Sequence, residues 1–196
     1  MDSIYVMRHG HTVLDASKRS DGFLDFPLSD DGRMSVVEAQ QFLKKIPLTK
    51  IITADLKRTK ETAEIIASGT MSNPEVVAAP EGRTWNLGTI AGMKKRYGRP
   101  EVQALIDDPD KWPEGGESYN FFQNRFLPWF KEQTAGRGPI LYVGSGSNLR
   151  LLGFAFTGDM DALDLDEGGL ACLHIPAAQA YCEVILGADD QQEEVS

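Results

Sequence analysis

Cysteine and histidine are scarce in this chain of 196 residues, which holds two of the former and three of the latter. Two thiols cannot staple a disulfide scaffold, and Cys172 and Cys182, each in an apolar strand-like segment, read as a pair of reduced, buried thiols, with a disulfide between adjacent strands as the alternative. Three histidines leave little for a metal centre. His9 and His11 have a spacing that suggests metal-dependent hydrolases, but the remaining histidine, His174, sits in an apolar segment where a structural role is the better reading. Long apolar runs are also missing: residues 140–143 and 149–156 are the longest, far short of the roughly 20 residues a membrane span needs. Positive charge is in deficit, 20 Lys+Arg against 29 Asp+Glu for a net charge of −9, which excludes the broad phosphate-backbone grip of a nucleic-acid binder. A small anion bound locally is still allowed. No repeat or low-complexity block is visible. Met1-Asp2-Ser3 passes straight into strand-like sequence without a basic leader, so a soluble, cytoplasmic protein without membrane partners is expected.

What is present is ordinary for a globular chain: 41% hydrophobic residues, 25% charged, 19 Gly and 10 Pro. One domain over residues 1–186 is expected, with an insertion rich in Gly, Pro and charge at about 81–118 and an acidic, frayed tail at 187–196. Residues 3–8 (SIYVMR) read as a buried strand ending at Gly10. Ser29, Asp30 and Asp31 cap a helix whose apolar positions are Val36, Ala39, Leu43 and Ile46, stopped by Pro47. Residues 50–54 are a second strand, after which Asp55 is placed to cap a helix carrying Arg58, with Ala63, Ile66 and Ala67 inward. Residues 75–79 and 140–143 give two further strands. Helices are expected over 119–133, with Phe122, Phe126, Trp129 and Phe130 in the core, and over 148–156. Segments 170–175 and 180–186 close the pattern as a strand pair. Strands alternating with helices imply a mainly parallel sheet between two helical layers, a three-layer α/β/α sandwich.

Ligands of open α/β sheets sit beyond the carboxyl ends of the strands, so chemistry is sought immediately after each one. Those positions hold Arg8-His9-Gly10-His11-Thr12, Asp55 to Arg58, Glu81 to Trp85, and Gly144 to Asn148. Two guanidiniums, an imidazole, close-approach glycines and two helix N-termini compose an anion pocket suited to a phosphoryl group.

The ordered set Arg8-His9-Gly10, SDDG at 29–32, ADLKRTKETA at 54–63, Trp85-Asn86-Leu87-Gly88, GGESYNFFQNR at 115–125 and ILYVGSGSNLRLL at 140–152 resembles the histidine phosphatase superfamily, with its phosphoglycerate-mutase-like fold. The resemblance implies that His9 attacks phosphorus and is transiently phosphorylated, that Arg8 and Arg58 clamp the phosphoryl oxygens, and that neither metal nor cofactor is needed. The substrate would be a small phosphate ester.

Two departures stand out. The family carries a second phosphate-contacting histidine where this chain has Ser145, and its usual acidic residue falls at Thr84. Candidate substitutes are the Ser145 hydroxyl, the amides of the glycine loop including that of Gly146, the Thr12 hydroxyl, and Glu81 or Glu117 as proton donor. Asp15 would repel phosphate unless it points outward. The sequence therefore leaves two readings: a phosphatase of reduced activity, or an impaired pseudo-phosphatase that binds a phosphorylated ligand or a partner. A third reading is a serine introduced at 145 to trap a ligand.

Overall fold

The computed structural model describes residues 2–136, 138–175 and 179–188. Six strands form one sheet: β1 (Asp2–Arg8), β2 (Lys50–Ala54), β3 (Glu75–Ala79), β4 (Ile140–Gly144), β5 (Leu165–Ile175) and β6 (Tyr181–Ala188), in the spatial order β3-β2-β4-β1-β5-β6. β1 to β4 are mutually parallel, whereas β5 runs antiparallel to β1 and β6 antiparallel to β5. The sheet is thus the mainly parallel one the β-α alternation implies.

Alternation along each buried strand supplies two cores. On one face Met7, Ile51, Leu141, Val143 and Leu170 pack against Val36, Ala39 and Leu43 of α2 (Asp30–Leu43) and Ala63 and Ile66 of α3 (Lys57–Gly69). On the other, Ile4, Val6, Ile52 and Tyr142 meet α5 (Tyr119–Thr134) and α6 (Gly146–Thr157). Each fully buried aliphatic or aromatic side chain contributes about 1.5–3 kcal/mol. The second core is aromatic: Phe126 lies 5.6 Å from Tyr142 and 5.9 Å from Phe122, whose ring stacks on Trp85. Pro128 sits inside α5, which continues past it to Thr134.

Several expectations are corrected. The 81–118 segment, to which the sequence reading assigns no helix, contains α4 (Lys95–Asp107), whose Leu105 is buried and whose Val102 and Ile106 pack on the aromatic core. Asp55 does not cap α3; its carboxylate is held by Arg83 at 2.5 and 2.7 Å, and the Lys57 amide instead donates to Asp25 Oδ1 at 2.7 Å. Gly187 and Ala188, assigned to the frayed tail, belong to β6, and 189–196 lie outside the described residues. The two cysteines are free. β5 sets Cys172 opposite Glu183 and Leu173 opposite Cys182, so successive-face alternation turns the thiols to opposite sides of the sheet.

Candidate active site

The carboxyl ends of β1 and β4 and the N-termini of α3 and α6 converge on a cavity of about 450 Å³ lined by Arg8, His9, Asp21, Arg58, Ser145 and Gly146, among others. Backbone hydrogen bonds fix the residue at the end of β1 from two sides: His9 N–H donates to Gly144 O at 2.9 Å, and Gly168 N–H donates to His9 O at 3.0 Å. The next residue must be glycine. A Cβ on Gly10 would lie 2.4 Å from Gly32 O, and one on Gly32 would lie 2.1 Å from His11 O, so two backbones touch where the first turn of α2 meets the His9 loop.

His9 is buried, and its Nδ1 lies 2.9 Å from Gly10 O. We assign the ring proton to Nδ1, donating to that carbonyl, which leaves Nε2 with a lone pair facing Arg58 Nε at 3.2 Å. Burial, and then the Arg58 charge, hold the His9 pKa well below its ordinary value. The imidazole is therefore neutral at physiological pH. Arg58 is completely buried, its Nη1 and Nη2 donating to the carbonyls of Leu24 and Gly22 at 2.8 and 2.9 Å. Those bonds also clamp the 21–25 loop against α3.

Arg8 donates to Leu165 O at 2.6 Å and forms an ion pair with Glu167. Its Nε is buried and has no partner among the described residues. A Cβ on Gly146 would lie 3.7 Å from Arg8 Cζ, so the first turn of α6 faces the guanidinium directly. A buried donor without an acceptor costs about 1–3 kcal/mol. An anion seated between Arg8 and the α6 N-terminus would meet that need and complement the helix dipole.

Other expected site residues lie elsewhere. The Thr12 hydroxyl does not face the cavity: it caps α1 (Val13–Ala16) and lies 2.9 Å from Asp15 Oδ2 and 3.3 Å from Asp21 Oδ1. Asp15, which would repel phosphate unless turned outward, is buried at the cavity wall; burial would raise its pKa, but Lys95 at 3.5 Å and the Thr12 hydrogen bonds lower it overall. Neither Glu81 nor Glu117 lines the cavity. Glu81 is exposed, and Glu117 is occupied by Arg125 at 2.6 and 3.2 Å and by the Asn86 amide at 2.9 Å. Arg125 also donates to the carbonyls of Glu81, Arg83 and Thr84, so the pair anchors the wall that carries Thr84 and Trp85. Glu117→Ala should accordingly cost roughly 2–4 kcal/mol in denaturant unfolding, somewhat less than a fully buried broken pair because Arg125 keeps its carbonyl partners. The folded variant should lose less than about tenfold in turnover, whereas removal of a proton donor costs roughly 10²–10⁴.

Sequence reasoning missed Asp21. Its Oδ2 stands 3.8 Å from His9 Nε2 and 3.9 Å from Arg58 Nε, and burial pushes its pKa up to about 6. It also missed Glu167, which reaches Arg8 and Lys95. No group of three His, Cys, Asp or Glu side chains suited to a metal ion occurs among the described residues. No helix among them is long and apolar enough to cross a membrane.

A family model described as the histidine phosphatase superfamily (branch 1) matches residues 4–184. A probable phosphoglycerate mutase GpmB from Cronobacter sakazakii is 33% identical over 112 residues, 57% of this chain and 48% of that protein, so the chain spans about half the length of this curated relative. Among solved structures, mycobacterial hydrolase 1 superposes with a TM-score of 0.77 at 22% identity, covering 95% of this chain and 98% of that one. A mycobacterial glucosyl-3-phosphoglycerate phosphatase gives a TM-score of 0.75 at 21% identity, covering 96% and 99%. At these identities the structural likeness speaks for the fold, which is phosphoglycerate-mutase-like.

Proposed function

The chain belongs to the histidine phosphatase superfamily, and on that premise we propose that it is a cytoplasmic, metal-independent phosphatase acting on a small phosphate ester through a phosphohistidine at His9. The observation that carries this reading is the state of His9: neutral, with Nδ1–H directed to Gly10 O, and with the Nε2 lone pair, which accepts from Arg58 Nε at 3.2 Å, at the wall of a cavity that also holds Arg8, whose Nε has no partner among the described residues. In the first step Nε2 forms a bond to phosphorus as the ester P–O bond breaks. In the second, water attacks phosphorus, the P–N bond breaks, and its electron pair returns to Nε2. Charge on the transferred oxygens is met by Arg8, Arg58 and the α6 amides, supplying the neutralisation that a metal would otherwise bring.

A second reading has its own support. Ser145 offers a neutral hydroxyl where the family has an imidazole, and Arg8 is already paired with Glu167. Both features lessen the positive charge that meets the transferred oxygens, which suits an impaired phosphatase that retains a phosphorylated ligand through Arg58 and the α6 amides.

The test is an assay over a panel of phosphate esters with and without a chelator, run beside His9→Ala. Hydrolysis should survive chelation and vanish in His9→Ala, with ³²P label trapped on the unaltered chain alone. Activity lost on chelation and restored by a divalent ion overturns the mechanism. Tight vanadate binding with no turnover favours the second reading.

A further inference from the structure

The phosphatase reading leaves a chemical gap: an alkyl leaving group departs as an alkoxide unless something protonates it, the place of the family's usual acid holds Thr84, which has no acidic proton, and the two glutamates expected to substitute, Glu81 and Glu117, lie outside the cavity. Three aspartates line the cavity. Asp15 is held as a carboxylate by Lys95, and Asp164 lies 3.7 Å from Arg150 Nη1. Of the three, Asp21 stands nearest the nucleophile, its Oδ2 3.8 Å from His9 Nε2.

We propose that Asp21 is a catalytic residue of this phosphatase, handing its proton to the ester oxygen as the phosphoryl group moves to His9 and taking one back from the water that cleaves the phosphohistidine. The inference rests on the phosphatase reading above and assigns its acid–base group. Reacting atoms in a productive complex stand about 3–3.5 Å apart, so phosphorus in line with Nε2 occupies the hollow that Asp21 faces. Asp21 lines the same cavity, so its carboxyl is the acid that stands beside the transferring group. An ionised carboxylate there would repel the ester, whereas the neutral acid donates to it.

A plain counter-ion role for Asp21 fits the contacts less well. Arg58 Nε is 3.9 Å away and donates to His9, while Nη1 and Nη2 are satisfied by Leu24 O and Gly22 O. The groups facing Asp21 are His9 beyond β1, Asp15 in α1, Arg58 in α3 and Lys95 in α4, with the Thr12 hydroxyl at Oδ1. Burial outweighs the two cations and favours the protonated form, with Asp15 adding to it, so the acid titrates at about 6. That lies close to where a general acid works best.

The experiment compares the unaltered chain with Asp21→Asn on two esters, glycerol phosphate, whose leaving group needs a proton, and 2,4-dinitrophenyl phosphate, whose leaving group does not. Turnover of glycerol phosphate should fall by about 10²–10⁴ in the variant, and that of the activated ester by less than about tenfold. With glycerol phosphate the unaltered chain should lose kcat/KM above pH about 6, and the variant should lack that limb. Vanadate binding by the variant verifies an intact pocket. A loss of equal size on both esters, or no loss on either, overturns the assignment of Asp21 while leaving the phosphatase reading in place. Failure of the unaltered chain to hydrolyse even the activated ester overturns both.

Discussion

Ser145→His should raise turnover of a phosphate ester by about 10²–10³-fold, the scale of one transition-state donor. Ser145 is buried at the N-cap of α6, in extended backbone that any residue adopts, and it lines the cavity with Arg8 and Gly146. The serine hydroxyl is short and neutral. An imidazolium from the same Cα reaches further into the cavity and adds a charge-assisted donor, roughly twice as strong as a neutral one. The gain should be largest below about pH 6.5, where an unperturbed histidine carries its proton, and should shrink as pH rises. Loss of a serine N-cap costs about 0.5–2 kcal/mol of stability, small beside the kinetic effect. Single-turnover kinetics at two pH values, with vanadate titration alongside, check the result. Tighter oxyanion binding with unchanged turnover would show that charge at this position does not limit the chemistry.

The parts of the molecule legible from sequence are those in which short-range pattern and long-range packing agree. β2 and β3 occur at the residues expected, because each is a short, mainly apolar run punctuated by a loop or a proline. Phe122, Phe126, Trp129 and Phe130 recur at helical spacing and are all buried in α5. α4 is different. Gly98, Pro100 and four basic residues between 94 and 99 mask a helix whose signal, Val102, Leu105 and Ile106, begins only beyond the proline.

The site divides in the same way. Arg8, His9, Arg58, Ser145 and Gly146 were legible because each sits at the end of a strand or the start of a helix, where the fold itself gathers residues. Asp21 and Glu167 were not, since their meaning depends on partners far away in sequence: Asp21 on His9 and Arg58, Glu167 on Arg8 and Lys95. Local pattern carries no sign of that. Asp55 and Glu117 mislead for the converse reason, since a carboxylate beside a strand end or a glycine loop reads as a cap or an acid until Arg83 or Arg125 is found holding it.

Arg58→Met should lower stability by about 3–5 kcal/mol at pH 8, the cost of breaking a buried charge network on one side. Arg58 is fully buried, and its loss leaves the carbonyls of Gly22 and Leu24 without their donors and Asp21 without its nearest cation. The loss should depend on pH, and the sign follows from two linkages. Asp21 binds its proton more tightly folded, at about 6, than unfolded, so its contribution is fully present below the unfolded carboxyl range and is lost as pH rises through about 6. Without Arg58 the folded Asp21 pKa rises further, moving that loss to higher pH and deepening it. His9 works the other way: burial and Arg58 lower its folded pKa, so its contribution is present above its unfolded pKa and disappears as pH falls. Removing Arg58 relaxes that shift and lessens the acid-side loss. Both changes make the variant relatively worse at high pH, so the deficit measured by urea unfolding should be larger at pH 8 than at pH 5. An equal deficit at the two pH values, or a larger one at pH 5, would show that Arg58 acts on stability through its carbonyl bonds alone and that the coupling of His9, Asp21 and Arg58 is absent.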